Sequence, residues 1–359
     1  MRKSEKLAWL IRNKLQAKRG QFYQWLRGTG SIGGCLDHRE DERDYPYLGG
    51  LLGTKADIET STSYDFMQAN GWYFEQQDNI CVFATGTMLM SEMTGIRFSV
   101  KFTVKLAKKL GFIQGNGWSY LRAFLDIVSK YGLVPYELMP DDVYTGWGSY
   151  SQWDDLSEEL LQSIAPKYKS TGYSQIKSKG DLLHALQNKI ALYTAGKWYT
   201  GMNNPMPPNY FLKQAGSLVG GHCFRYGGFR KWGESLRAPQ TFGQKYGDDG
   251  CGWVEDAFAW DKYAIYAIEN IPFEVRRDHF LRTYDGKMVR SLENPACYVI
   301  EKGMKRHVPS MEIYWELAQK ERNKAEKENN RMVLQRPNGH WTVKQDILNS
   351  LPDGEVYKL

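Results

Sequence analysis

Three short stretches of this sequence carry residue types that can do nucleophilic chemistry. The first is Gln76-Gln77-Asp78-Asn79-Ile80-Cys81-Val82-Phe83-Ala84-Thr85, a polar turn whose cysteine opens an apolar run continued by Met88, Leu89, Met90 and Met93. The run lacks strict alternation and is long enough for a buried helix. A cysteine in the first turn of a helix sits at the positive end of the macrodipole, which favours the thiolate and lowers the thiol pKa. The same residue also suits a plain role as a small core side chain. The second stretch is Gly220-Gly221-His222-Cys223-Phe224-Arg225-Tyr226, read as a histidine that starts a strand behind a Gly-Gly turn. Two glycines there let a substrate or another backbone approach closely. The third runs from Gln240-Thr241-Phe242-Gly243 through Tyr246, Gly247 and Gly250 into Cys251-Gly252-Trp253. It is a polar and aromatic loop entering a strand. A nucleophile, a base and a group that orients the base form the logic of a catalytic triad. Cys81, His222 and the amide of Gln240 follow in that order, with the histidine about 140 residues after the cysteine.

The elements that must hold these residues can be read in outline. Before Cys81, residues 4–26 form an amphipathic pattern with Leu7, Leu10, Ile11 and Leu15 on one face and Lys6, Arg12, Lys14, Lys18 and Arg19 around them. A glycine-rich linker, 28–34, and a charged extended strap, 37–47, follow. After the Cys81 helix, Gly115-Asn116-Gly117 marks a turn, and Leu121, Phe124, Leu125 and Val128 give a helical stripe ending at Tyr131, capped by Gly132. A short helix is expected at 156–164 and another at 180–188. Strands are expected at 190–199, 222–229 and 250–258. Helices thus dominate the first part and strands the second, an α+β character. Composition shifts after residue 275. Residues 298–309 read as a hairpin turning at Lys302-Gly303, Ser310 suits an N-cap, and 316–331 is a mixed charge run expected on a solvated face.

The ordered set of motifs resembles the papain-like cysteine peptidases. Cys81-Val82-Phe83-Ala84, Gly220-Gly221-His222 and the glycine-aromatic loop after Gln240 carry the resemblance. Tyr131-Gly132-Leu133-Val134-Pro135-Tyr136-Glu137-Leu138-Met139-Pro140 and Asp41-Glu42-Arg43-Asp44-Tyr45 add to it, in the form common among bacterial and phage members. The match covers residues 37–262. It implies a two-lobed fold in which a helical lobe presents Cys81 and a small antiparallel β lobe presents His222, with the substrate in the cleft between them. Cys81 would attack a peptide carbonyl, His222 would carry the proton, and the oxyanion would rest on the Cys81 N–H and a glutamine side chain. Gly115, Asn116, Gly117 and Trp118 would line the cleft wall, with Gly221 opposite. The sequence departs from the family in three places. Glu75 stands where the family glutamine is expected, leaving Gln76 and Gln77 as alternatives; Gln240 replaces an asparagine; Phe242 and Tyr246 replace two tryptophans. The C-terminal residues 294–310, with Leu351-Pro352-Asp353-Gly354, resemble the hairpin-and-helix repeat of some bacterial surface and wall-associated proteins.

The organisation expected is therefore a basic helix and linker at 1–36, a peptidase domain at 37–275 and a docking module at 276–359. The chain has 359 residues, 42% hydrophobic and 25% charged, with a net charge of +6, which is ordinary for a globular protein. No nucleic-acid-binding motif accompanies that charge. The five cysteines, Cys35, Cys81, Cys223, Cys251 and Cys297, are widely spaced without a C-x-x-C pair, which argues against a disulfide framework and a zinc site. No cofactor and no metal are expected, and Cys223 and Cys251 read as core residues. No apolar run spans a membrane, and no secretory signal pattern opens the chain. A cytoplasmic protein, or a virion protein if phage-encoded, is the expectation. The partner expected is a protein or peptide substrate, with other virion or assembly proteins reached through the N-terminal helix and the C-terminal module. Two rivals stand beside the peptidase: a catalytically silent papain-like structural or assembly protein, and a wall amidase. Residues 1–36 also suit an inhibitory pro-segment, though a docking helix is the preferred reading.

Overall fold

The computed structural model describes residues 34–36, 46–47, 70–76, 78–115, 117–141, 156–188, 190–229, 235–255, 262–328 and 340–357. The amphipathic stretch at 4–26, the linker up to residue 33, the charged stretch from 37 to 45, Gln77 and Asn116 lie outside them.

The first lobe is helical and is built round α1, Cys81–Thr94. Every residue of α1 is buried, because its sequence is apolar or small on all sides except at Glu92, which pairs with Arg225 of the second lobe. Gly95, in the left-handed conformation, ends it by returning its N–H to the Ser91 carbonyl. Helix α2, Val100–Lys109, starts on Ser99, whose hydroxyl accepts from the Phe102 N–H at 3.0 Å. Helix α3, Leu121–Asp126, widens into one broad turn over Ile127–Tyr131 and stops at Gly132. The expected helix at 156–164 is likewise a widened turn, Glu159–Ile164.

The second lobe is a sheet. Strands β1 (Tyr173–Gln175), β2 (Leu192–Tyr199), β3 (Leu218–Tyr226) and β7 (Lys262–Ile268) form an antiparallel sheet in the order β1-β7-β2-β3. Helix α4, Lys179–Gln187, is capped by Ser178 through the Asp181 N–H at 3.1 Å. A small sheet of β4 (Gly228–Phe229), β5 (Leu236–Pro239) and β6 (Cys251–Val254) continues from β3. Gly220 and Gly221 are not the turn before His222 that the sequence suggests. They lie within β3, opposite Trp198 and Lys197 of β2, with His222 opposite Gly196.

One apolar core gathers α1, α2, α3 and the inner face of β2 and β3, and a second fills the far side of the sheet. The C-terminal part has two cores of its own. They are formed by α5 (Phe273–Tyr284), the sheet β10-β9-β8-β11, α6 (Met311–Lys327) and α7 (Gln345–Asn349). The strands are β8 (Met288–Ser291), β9 (Cys297–Glu301), β10 (Met304–His307) and β11 (Trp341–Val343), with β8 and β11 parallel. The hairpin turns at Lys302-Gly303, and Ser310 caps α6. This part is tied to the helical lobe by side chains. Asn70 donates to the Thr342 carbonyl and accepts from its N–H, each at 2.9 Å, and Tyr168 meets His279 at 3.3 Å.

Candidate active site

Cys81 is the first residue of α1 and His222 lies in the middle of β3, and the packing of α1 on β3 brings the two elements together. The Cys223 N–H points at the Cys81 sulfur at 3.4 Å, so the residue after the histidine touches the thiol. Thr85 of α1 donates to the Cys223 carbonyl at 2.9 Å, and Tyr193 of β2 donates to the Val82 carbonyl at 2.9 Å. A buried pair adds a further tie across the lobes: Arg225 Nε to Glu92 at 2.9 Å.

The His222 ring is fully buried. Its Nε2 lies 3.1 Å from Gln240 Oε1, and the Gln240 Nε2 donates to the Ala238 carbonyl at 2.9 Å. That second bond fixes which end of the amide faces the imidazole, so Gln240 accepts and Nε2 carries the proton. Phe242 stacks on the ring at 4.6 Å and 18°, and Trp198 meets it edge-on at 4.7 Å. Tyr246 stands behind Phe242 at 5.1 Å. Together they keep water from the His222–Gln240 bond. The other nitrogen, Nδ1, is buried without a hydrogen-bond partner among the described residues.

The turn before the cysteine faces the same loop. Glu75 bridges Phe242, and the Gln76 N–H donates to the Thr241 carbonyl at 2.8 Å. The Glu75 side chain turns outward while Gln76 is buried. Gln76 Oε1 accepts from the Thr241 hydroxyl, and Nε2 donates to the Asp78 carbonyl at 3.2 Å. Of the two glutamines singled out from the sequence, Gln76 is buried against Thr241, the residue after Gln240. Gln77 lies outside the described residues, as does Asn116 of the cleft wall. Gly115 is exposed, Trp118 pairs with Gln114, and Gly117, at φ +123°, packs its backbone on Asn79.

The cleft is occupied. Residues 34–36, a strap distinct from the charged stretch at 37–47, thread it between the two lobes. The Ser119 N–H donates to the Gly34 carbonyl and the Leu36 N–H to the Ser119 carbonyl, both at 2.7 Å, and the Cys35 N–H donates to the Gly221 carbonyl at 3.2 Å. The Gly34 N–H faces the Cys81 sulfur. The sequence reading put these residues at the end of the 1–36 segment, as linker or as part of an inhibitory pro-segment, and its signal here is the glycine run that allows a backbone to lie flat on another.

Burial reverses the electrostatics expected for Cys81. The helix terminus favours a thiolate, but full burial pushes the thiol up from 9.0 to about 11, against the N–H groups of Cys223, Gly34 and Val82 that favour the anion. Burial likewise lowers His222 from 6.5 to about 3, with Gln240 opposing. At neutral pH both groups are uncharged in this resting arrangement. Cys223 and Cys251 are buried in β3 and β6. Among the described residues no group of three or more His, Cys, Asp or Glu suits a metal ion, and no helix is long and apolar enough to cross a membrane.

No family model and no curated sequence is similar enough to match this chain. Solved structures are similar in fold. Xylellain, a cysteine protease from Xylella fastidiosa, gives a TM-score of 0.54 at 15% identity, covering 68% of this chain and 97% of that one. Procathepsin B from Trypanosoma congolense gives 0.52 at 10% identity over 69% of this chain and 89% of that one. Digestive procathepsin L 3 of the Tenebrio molitor larval midgut gives 0.50 at 10% identity, over 74% and 89%. The architecture is the papain-like two-lobed fold, α+β, as the sequence motifs imply.

Proposed function

We propose that this chain is a cysteine peptidase that rests in a latent form, with residues 34–36 lying across its nucleophile. The observation that carries the reading is the bonded pair His222 Nε2–Gln240 Oε1 at 3.1 Å under a stacked Phe242, with the next residue's N–H on the Cys81 sulfur. A buried histidine oriented by an amide beside a helix-terminal cysteine has the parts that acyl transfer needs.

With the strap displaced, the Cys81 proton passes to His222 Nδ1 and the sulfur attacks a peptide carbonyl carbon. The oxyanion is held by the Cys81 backbone N–H, which has no intrahelical carbonyl to bond, and by an N–H of Gln76. His222 then gives its proton to the leaving amine as the C–N bond breaks. Water, deprotonated by His222, attacks the thioester carbonyl, and the acid leaves with the Cys81 thiol restored. Gln240 holds the imidazole tautomer throughout.

The bacterial or phage type rests on the sequence motifs around Cys81 and residues 131–140. The C-terminal residues, with cores of their own, serve in this reading as a docking unit. The test is peptide hydrolysis by the full chain carrying Cys35→Arg, which puts a large cation where a buried small side chain now sits. Hydrolysis lost on adding Cys81→Ala or His222→Ala supports the reading. No hydrolysis, with Cys81 no more reactive than the other cysteines, points to a silent shell.

A further inference from the structure

Three buried thiols meet where the strap crosses the cleft. Cys35 is 1% exposed, and Cys81 and Cys223 lie wholly inside the same apolar core. All three are free thiols. Strand β3 is the last in the order β1-β7-β2-β3, so its outer edge faces the cleft. Two neighbouring groups on that edge hold the strap and the nucleophile side by side. The Gly221 carbonyl accepts from the Cys35 N–H at 3.2 Å, and the Cys223 N–H points at the Cys81 sulfur at 3.4 Å. The Gly34 N–H faces the same sulfur. Cys35 therefore follows directly on the strap residue that touches the Cys81 thiol. The electrostatics agree with this placement. Burial pushes the Cys223 thiol up, and the charges that Cys35 and Cys81 would carry push it further.

In the closed arrangement a buried, uncharged Cys81 is a poor target for oxidants. Opening the strap uncovers it beside His222, and the thiolate is the form that peroxides oxidise. Closing the strap again brings a second thiol, Cys35, back to the oxidised sulfur. A reactive cysteine poised next to a resolving cysteine is the arrangement that reversible thiol oxidation requires.

Resting on the peptidase reading above, we propose that Cys81 is a site of reversible oxidation by peroxides, with Cys35 of the strap as its resolving thiol. In the open state the Cys81 thiolate attacks one peroxide oxygen. The O–O bond breaks, hydroxide leaves, and Cys81 becomes a sulfenic acid. When the strap returns, the Cys35 sulfur attacks the Cys81 sulfur, the S–O bond breaks and water leaves with the Cys35 proton. Two thiols are oxidised to one disulfide, and one peroxide is reduced to water. The strap is then tied covalently across the nucleophile, and latency lasts until a dithiol reduces the bond by exchange.

The test incubates the unaltered full chain with about tenfold excess hydrogen peroxide, blocks the remaining thiols with iodoacetamide and maps all five cysteines by mass spectrometry. The expected product is about 2 Da lighter before blocking, joins residues 35 and 81 in one linked peptide pair, and returns to the starting mass with dithiothreitol. Cys35→Ser keeps the size of the side chain without the thiol and is expected to abolish the mass loss, leaving Cys81 to run on to sulfinic acid. Linkage of Cys35 to Cys223, or the same mass loss in the Cys35→Ser chain, overturns the proposal. Peptide hydrolysis by the Cys35→Arg chain is read in parallel. Gly34→Ala, whose Cβ would overlap the Asn79 carbonyl, replaces it should the arginine chain fail to fold. Hydrolysis without the linkage of residues 35 and 81 overturns the oxidation site and leaves the peptidase reading intact. Linkage without hydrolysis sustains the oxidation site and sinks the peptidase reading alone. Neither linkage nor hydrolysis overturns both.

Discussion

At the scale of the residue, the site depends on how His222 is held. Gln240 reaches the imidazole at 3.1 Å, and its amide is fixed by the Ala238 carbonyl. Gln240→Ala is expected to lower kcat of the strap-displaced chain by about 100-fold with little change in KM, because the ring loses its tautomer and orientation rather than a substrate contact. Steady-state kinetics on one peptide check the split. Phe242→Ala removes the ring stacked on His222 and is expected to cost about 3–5 kcal/mol in urea unfolding, as for other buried phenylalanines. The order cysteine, histidine, glutamine was legible in the sequence, and so was the choice between Gln76 and Gln77 as an open one. The direction of the Cys81 pKa was not. A helix terminus is a local property that sequence displays, whereas burial by a segment distant in the chain is not, and here burial outweighs the dipole.

At the scale of the element, helix α1 and strand β3 must keep register, and a buried ion pair spans them. Burial raises the Glu92 carboxyl above its ordinary range even with Arg225 beside it. Removing one partner leaves an uncompensated buried charge, so Glu92→Met alone is expected to cost about 3–5 kcal/mol, while Glu92→Met with Arg225→Met is nearly neutral. Urea unfolding of the three chains tests this. The surroundings of His222 and Cys81 also set a pH window for the fold. His222 is lowered from 6.5 to about 3, so the unfolded chain binds a proton that the folded chain refuses, and stability falls as pH drops below 6.5. Cys81 is raised from 9.0 to about 11, so the unfolded chain loses a proton that the folded chain keeps, and stability falls again as pH rises above 9.0. Stability in urea unfolding is expected to be greatest between these limits. Helices α1, α3 and α4 and strands β2 and β3 were legible from their apolar runs, whereas α2, α5, β1, β5 and β7 were not read. The glycines before His222 were not, because a Gly-Gly pair reads as a turn unless the partner strand that accepts it, β2, is known.

At the scale of the whole molecule, the papain-like body and the C-terminal cores meet where Asn70 completes the edge of β11. Both ends of its amide bond the Thr342 backbone, 272 residues away in sequence. Asn70→Ala leaves both backbone groups without that partner and is expected to destabilise the chain by about 1–3 kcal/mol. Faster hydrogen exchange at Thr342 would mark the loss at this junction. The contact also lies a few residues before Gln76, so the C-terminal part buttresses the turn that leads into the nucleophile. The existence of a separate C-terminal pattern was legible from the composition change and the hairpin at Lys302-Gly303. Its attachment was not, since a single asparagine in a loop carries no mark of the strand edge it will bond.

The most direct test of the account is the alkylation rate of Cys81 by iodoacetamide at pH 7, read by mass spectrometry, in the unaltered chain and in the Cys35→Arg chain. The account predicts that Cys81 is nearly inert in the first and is the fastest-labelled of the five cysteines in the second, with that reactivity lost on adding His222→Ala. If Cys81 stays inert with the strap displaced, or labels at the same rate without His222, there is no working cysteine–histidine pair and the proposed peptidase is contradicted.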